Sequence, residues 1–147
     1  MDFKFKAKES PGLLFWQVST LWKRKINNAL ASFSITHTQY VILAIISYLS
    51  QTDEKITQVE ISNLSMIDVM TISKTVRLLE KKKLIQRYED ADDSRAKILK
   101  LTSEAKQLLP KAIAAVEDID SSFFTSSNVK FSNLIDLLKI LKNNNTN

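Results

Sequence analysis

From Ser10 to about Phe33 the apolar residues Leu14, Val18, Leu21, Trp22, Ile26, Ala29, Leu30 and Phe33 recur at helical spacing. Ser10 offers an N-cap oxygen and Pro11 occupies the first helical position, where its missing N–H costs nothing. A long amphipathic first helix is predicted. Thr36-His37-Thr38-Gln39 has the spacing of a capping box, so the apolar stretch Tyr40 to Leu49 reads as a second, deeply buried helix. Thr57-Gln58-Val59-Glu60 repeats the signature before a short segment ending near Leu64, and another helix opens around Asp68. Two helices joined this tightly make a helix-turn-helix candidate.

In the segment after Asp68, Val69, Ile72, Val76 and Leu79 share one face, while Met70, Ser73, Lys74, Arg77 and Lys81 share a basic one. Leu84 to Tyr88 and Ala96 to Leu101 are rich in strand formers and flank the charged tip Glu89 to Arg95, which predicts one antiparallel hairpin. Thr102 then caps a long helix with Leu108, Leu109, Ile113, Val116, Ile119 and Phe123 on a stripe, expected to bend at Pro110. Ser126-Ser127-Asn128 reads as a break with capping chemistry. Val129, Leu134, Leu137, Leu138 and Leu141 supply a last amphipathic helix.

Length and composition narrow this picture. The 147 residues suit one domain, and a single glycine with two prolines leaves the hairpins of a sandwich or barrel without their turn residues. The longest apolar run, Tyr40 to Ile46, is far short of the roughly 20 residues a membrane span needs. With no apolar signal core near the N-terminus, a soluble, unexported, cytoplasmic protein is expected. The absence of cysteine excludes disulfides, thiolate nucleophiles and cysteine-bound zinc, and the single histidine, His37, excludes most imidazole metal sites. No cofactor or metal is expected, and without a phosphate-cradling glycine loop an enzyme is not either. A net charge of +5 favours a polyanionic partner.

Four helical segments, a two-stranded ribbon and two further helices describe a mainly α winged helix-turn-helix with a small antiparallel β-wing. The stretch from about Thr36 to Ala105 resembles the MarR family, the multiple-antibiotic-resistance type of winged-helix regulators. The most specific residues are Asp93-Ser94-Arg95 with Ile98-Leu99-Lys100-Leu101-Thr102, similar to that family's D-x-R wing and following strand. Thr71 to Lys81 resembles its recognition helix. Lys83 and Ala105 stand where the family commonly has glycine. If Lys83 adopts the left-handed conformation of a capping glycine, the strain is about 1 kcal/mol. The implied organisation is one domain over residues 1–147, with a winged core at about 34–101 and dimerisation helices at about 10–33 and 102–142.

A recognition helix presents short polar and long basic side chains to base edges and phosphates, and Thr71, Ser73, Lys74 and Arg77 fit that need. The plainer reading is a solvated helix face. The resemblance implies that Arg95 enters the minor groove, oriented by Asp93 through a charge-assisted hydrogen bond; alternatively the two form an exposed loop ion pair. Lys81, Lys82, Lys83, Arg87, Lys97 and Lys100 are candidate phosphate contacts. The acidic residues Glu89, Asp90, Asp92 and Asp93 sit uneasily beside DNA, and their simplest role is to solvate the loop and fix its geometry.

The terminal helices carry more apolar positions than a small winged core covers. Phe15, Trp16, Phe123, Phe124, Phe131, Leu134, Leu138 and Leu141 predict a two-fold dimer interface. The resemblance also implies an effector crevice, for which Trp16, Trp22, Lys23, His37 and Tyr40 are candidates, although aromatics at helical spacing are more often core. The function expected is a homodimeric, sequence-specific regulator on a roughly palindromic double-stranded operator, a repressor released by a small-molecule effector. The alternatives are a winged-helix module for an acidic protein partner and an orphan small-molecule-binding protein.

Overall fold

The structure, a computed structural model, describes residues 1–125 and 130–146. The expected break at Ser126-Ser127-Asn128, with Val129, lies outside the described residues. The elements in order are α1 (Pro11–Leu30), α2 (His37–Leu49), α3 (Gln58–Ser65), α4 (Val69–Lys81), β1 (Ile85–Glu89), β2 (Lys97–Leu101), α5 (Ser103–Phe124) and α6 (Phe131–Asn144). This is the winged helix-turn-helix expected from the sequence. No single helix among the described residues is long and apolar enough to cross a membrane.

The caps form where the sequence places them. Ser10 accepts the Leu13 N–H, and Thr36 with Gln39 and Thr57 with Glu60 close reciprocal capping boxes. Asp68 caps α4 and Thr102 caps α5. The first helix tightens into a 3-10 turn, Ala31–Phe33, and stops at Ser34, which takes a left-handed φ of 56°. The long helix α5 runs through Pro110 without interruption.

α2 is the centre of the core. Its Ile42, Leu43 and Ile46 are buried together with Ile26 and Leu30 of α1, Ile61 of α3, Ile72, Val76 and Leu79 of α4, and Leu109, Ala112 and Val116 of α5. Val69, expected on the buried stripe of α4, is exposed, because it opens the helix beyond the end of that packing. Thr75 takes a buried place on the stripe instead and satisfies its hydroxyl by donating to the Thr71 carbonyl at 2.8 Å. The strands pair from Ile85↔Leu101 to Glu89↔Lys97, and Leu99 N–H also donates to the Ile56 carbonyl at 2.8 Å. The segment before α3 thus holds the back of the wing.

The end of α4 shows how the fold manages without glycine. Lys83 has φ 61°, its N–H donates to the Glu80 carbonyl, and the Leu84 N–H donates to the Leu79 carbonyl. Those two bonds make a Schellman cap with lysine at the left-handed position. Thr102 locks it: its hydroxyl donates to the Lys83 carbonyl at 2.7 Å and its N–H to the Leu84 carbonyl at 3.1 Å. Lys82, a candidate phosphate contact, turns inward instead, donating to the Ser34 carbonyl at 2.6 Å and to Oε1 of buried Gln39 at 3.0 Å. Relieving the left-handed strain with Lys83→Gly should raise stability by about 0.5–1 kcal/mol. Thr102→Val, which deletes the cap and the Lys83 bond, should lower it by about 1–2 kcal/mol. Urea unfolding midpoints of the two variants check both signs.

Candidate nucleic-acid interface

The first turn of α4 is built around Asp68. Its carboxylate accepts the Thr71 hydroxyl at 2.7 Å and the Thr71 N–H at 2.8 Å, and those bonds hold its pKa below the ordinary carboxylate value. Half-buried Thr71 therefore spends its donor inside the protein, keeping only acceptor capacity for a base. Ser73 is half-buried, while Lys74, Arg77 and Lys81 are exposed and without an ion-pair partner among the described residues.

The wing answers the question its acidity raised. Lys55 Nζ sits 3.0 Å from Asp90 and 2.6 Å from Asp92, and those hydrogen bonds push its pKa up. Asp90 also accepts the Asp92 N–H, and that bond, followed by the Lys55 contact, keeps its carboxyl ionised below the usual range. Glu89 pairs with Lys97 at 3.0 Å. Each of the four carboxylates has a partner within the chain. Asp93, expected to grip the Arg95 guanidinium, instead accepts the Arg95 backbone N–H at 3.0 Å, so it shapes the turn and leaves the exposed guanidinium without a partner among the described residues.

Arg87 is also reassigned from phosphate contact to structure. Its Nε and Nη2 donate to the two Glu80 oxygens at 2.8 and 3.0 Å, a fork that ties β1 to the last turn of α4. The hydrogen bonds lower the Glu80 pKa and raise that of Arg87. Lys100 lies 5.5 Å from the centre of the Tyr88 ring. Sequence reasoning missed Lys55 altogether. Its partners lie 35 and 37 residues away, and nothing in the polar stretch around it carries a period.

With this geometry in place, comparison with known proteins is informative. The model of the MarR family matches residues 35–97, from just before α2 to the first residue of β2. Over 133 residues the chain is 38% identical to the uncharacterized HTH-type transcriptional regulator YdcH of Bacillus subtilis (strain 168), covering 90% of each. The chain belongs to the MarR family. It is accordingly a transcription regulator and not an enzyme. This MarR-family chain superposes on the MepR–DNA complex of S. aureus with a TM-score of 0.80 at 26% identity, over 91% of this chain and 98% of the other. It matches Bordetella bronchiseptica BpsR, described with regulation of DNA binding by 6-hydroxynicotinic acid, with a TM-score of 0.83 at 19% identity, over 99% and 100%.

The candidate effector residues of this MarR-family chain divide. Trp22 and His37 meet edge to face with ring centres 5.0 Å apart, and Tyr40 lies 6.5 Å from His37. Trp22 Nε1 donates to Asp120 of α5 at 2.8 Å and its ring approaches Phe124 at 6.1 Å. Trp16, 71% exposed on the outer part of α1, does not join them. Trp22 and Tyr40 pack on the core, so the cluster fastens α1 and α2 to α5. Tyr40 is pushed up by burial, then by Glu117 and Asp120. His37 is pushed down, first by burial and then by Lys23, against an opposing pull from Asp120.

A histidine depressed in the folded state stabilises fully above its unfolded pKa and loses that contribution as pH falls through the folded value. The single histidine should therefore titrate below its ordinary 6.5 by NMR. Unfolding free energy should decline as pH falls below about 6.5, and His37→Gln should flatten that decline.

Proposed function

We propose that the protein is a homodimeric, sequence-specific reader of double-stranded DNA that occupies a roughly palindromic operator as a repressor and leaves it when a small-molecule effector binds. One observation carries the reading. Lys74, Arg77 and Lys81 of α4 and Arg95 of the wing are exposed cations without ion-pair partners among the described residues, while neighbouring Lys55, Arg87 and Lys97 are paired. The free cations suit groove and phosphate contacts: α4 with Thr71, Ser73, Lys74 and Arg77 in the major groove, Arg95 in the minor groove, and Asp93 holding the turn that carries it. Lys97 opens the second strand of the wing, and a phosphate there competes with Glu89 for it.

The second copy has a natural seat. α6 buries no residue against its own chain and exposes Phe131, Leu138 and Leu141, with half-buried Leu134 beside them. Phe15 and Trp16 of α1 are exposed as well, and Phe123 and Phe124 lie at the end of α5. Joining these surfaces around a two-fold axis removes them from water and sets two recognition helices about one DNA turn apart. Residues 10–33 and 102–142 then serve dimerisation, and 34–101 serve DNA.

An effector that favours one dimer geometry shifts the spacing of the two α4 helices. The Trp22, Lys23, His37 and Tyr40 region, at the meeting of α1, α2 and α5, is where such a change reaches the reading head, and the ligand-regulated DNA binding described for BpsR supports this reading. The acid-rich wing, which favoured an acidic protein partner, loses that force because its carboxylates are engaged internally.

Fluorescence anisotropy on duplexes selected from a random-sequence pool, at two salt concentrations, tests the proposal. Arg95→Ala should weaken binding about tenfold or more with the dimer intact by sizing, and Lys74→Ala should reduce the salt slope by about 1. Leu138→Asp should yield monomers that bind weakly. Unchanged affinity in Arg95→Ala would remove the wing from the interface, and failure to select any duplex would remove DNA.

A further inference from the structure

The outward stripe of α4 contains one residue that a cationic surface does not explain. Met70, Lys74, Arg77 and Lys81 follow one another at i, i+4, i+7 and i+11, opposite the buried Ile72, Thr75, Val76 and Leu79. Three are lysine or arginine. The fourth, Met70, is 77% exposed, in the first turn of the helix. It has no role in the core, and its apolar side chain gains nothing from water.

The nearest polar groups, those of Asp68 and Thr71, are occupied, and Ser73 stands one turn further along. Asp68 takes the Thr71 N–H and hydroxyl, and the Thr75 hydroxyl is buried on the Thr71 carbonyl. The leading tip of α4 therefore offers a flexible thioether with exposed Val69 beside it, and the hydrogen-bonding groups stand behind or further along. Recognition helices meet base edges with their N-terminal residues. Among the groups displayed in the major groove, the only apolar one is the C5-methyl of thymine.

Resting on the DNA-reading function argued above, we propose that Met70 is a specificity-determining residue that packs against the 5-methyl group of a thymine in each operator half-site. Lys74, Arg77 and Lys81, on the same stripe, take the flanking phosphates and guanines, which brings the methionine against the groove floor. The unbranched side chain reaches further than valine or alanine and adapts to the methyl without demanding a hydrogen bond. The contact reads sequence without adding to the salt dependence, which separates it from the cations around it.

The test uses the full-length protein and its own selected duplex, with each thymine replaced singly by deoxyuridine, a change that removes the methyl and keeps every base-pairing group. One thymine per half-site should lose about fourfold in affinity on this replacement, the worth of one buried methyl. Met70→Ala should bind the thymine and uracil duplexes equally, and Met70→Leu should keep part of the preference. Because Met70 is exposed, unchanged circular dichroism and melting temperature are expected for both variants. If selected duplexes bind with sequence preference but no uracil replacement matters, or if the preference persists in Met70→Ala, the methionine is not the reader and the DNA function stands. If the protein selects no duplex and shows no salt-sensitive binding to any DNA, the DNA function and the methionine's role fall together.

Discussion

Thr102 is the hinge pin of the molecule. Its hydroxyl caps α5 and closes the left-handed end of α4 through the Lys83 carbonyl, while its N–H holds the Leu84 carbonyl. The helix α4, the wing and the long helix α5 therefore share one residue at their junction. The Arg87 fork on Glu80 and the Leu99 to Ile56 bond brace the same junction from the two sides of the wing. One side-chain and one backbone hydrogen bond, both donated by Thr102, therefore tie the start of α5 to the end of α4.

The basic residues sort into two populations. Lys55, Lys82, Arg87 and Lys97 hold the structure to itself, and Lys74, Arg77, Lys81 and Arg95 have no ion-pair partner among the described residues. Exposed pairs such as Lys55 with Asp92 contribute little to folding. Their effect is on the field in front of the protein, because a carboxylate held against an ammonium repels a phosphate less than a bare one. The wing thus keeps an acidic sequence together with an exposed Arg95 guanidinium.

The terminal helices belong to a different energetic regime. α1 buries Ile26 and Leu30 near its C-terminal end and leaves its N-terminal half in water, and α6 buries nothing. Trp22, bonded to Asp120 and packed edge to face on His37 and tilted against Phe124, marks the boundary between the two halves of α1. Below it the monomer is a packed core. Beyond it the apolar side chains of α1 and α6 lie open to water, an exposure that the hydrophobic effect opposes.

Much of this was legible along the chain. Two capping boxes, the Ser10-Pro11 start, the stripe of α4 and the polar tip between two strand-forming runs depend on neighbours within a few residues, so local spacing determined them. The candidate reading face was legible for the same reason: Ser73, Lys74 and Arg77 lie within two turns of one helix. What the tertiary structure alone decided are partnerships across long separations. Lys55 meets Asp90 and Asp92, Lys82 reaches Ser34 and Gln39 from 48 and 43 residues away, and Arg87 turns to Glu80 instead of solvent. A lysine carries the same charge in every context, and composition records the charge without its direction. Whether that charge is spent inside the protein or offered to a partner depends on which carboxylate or carbonyl the fold brings within 3 Å, and no periodicity encodes that distance.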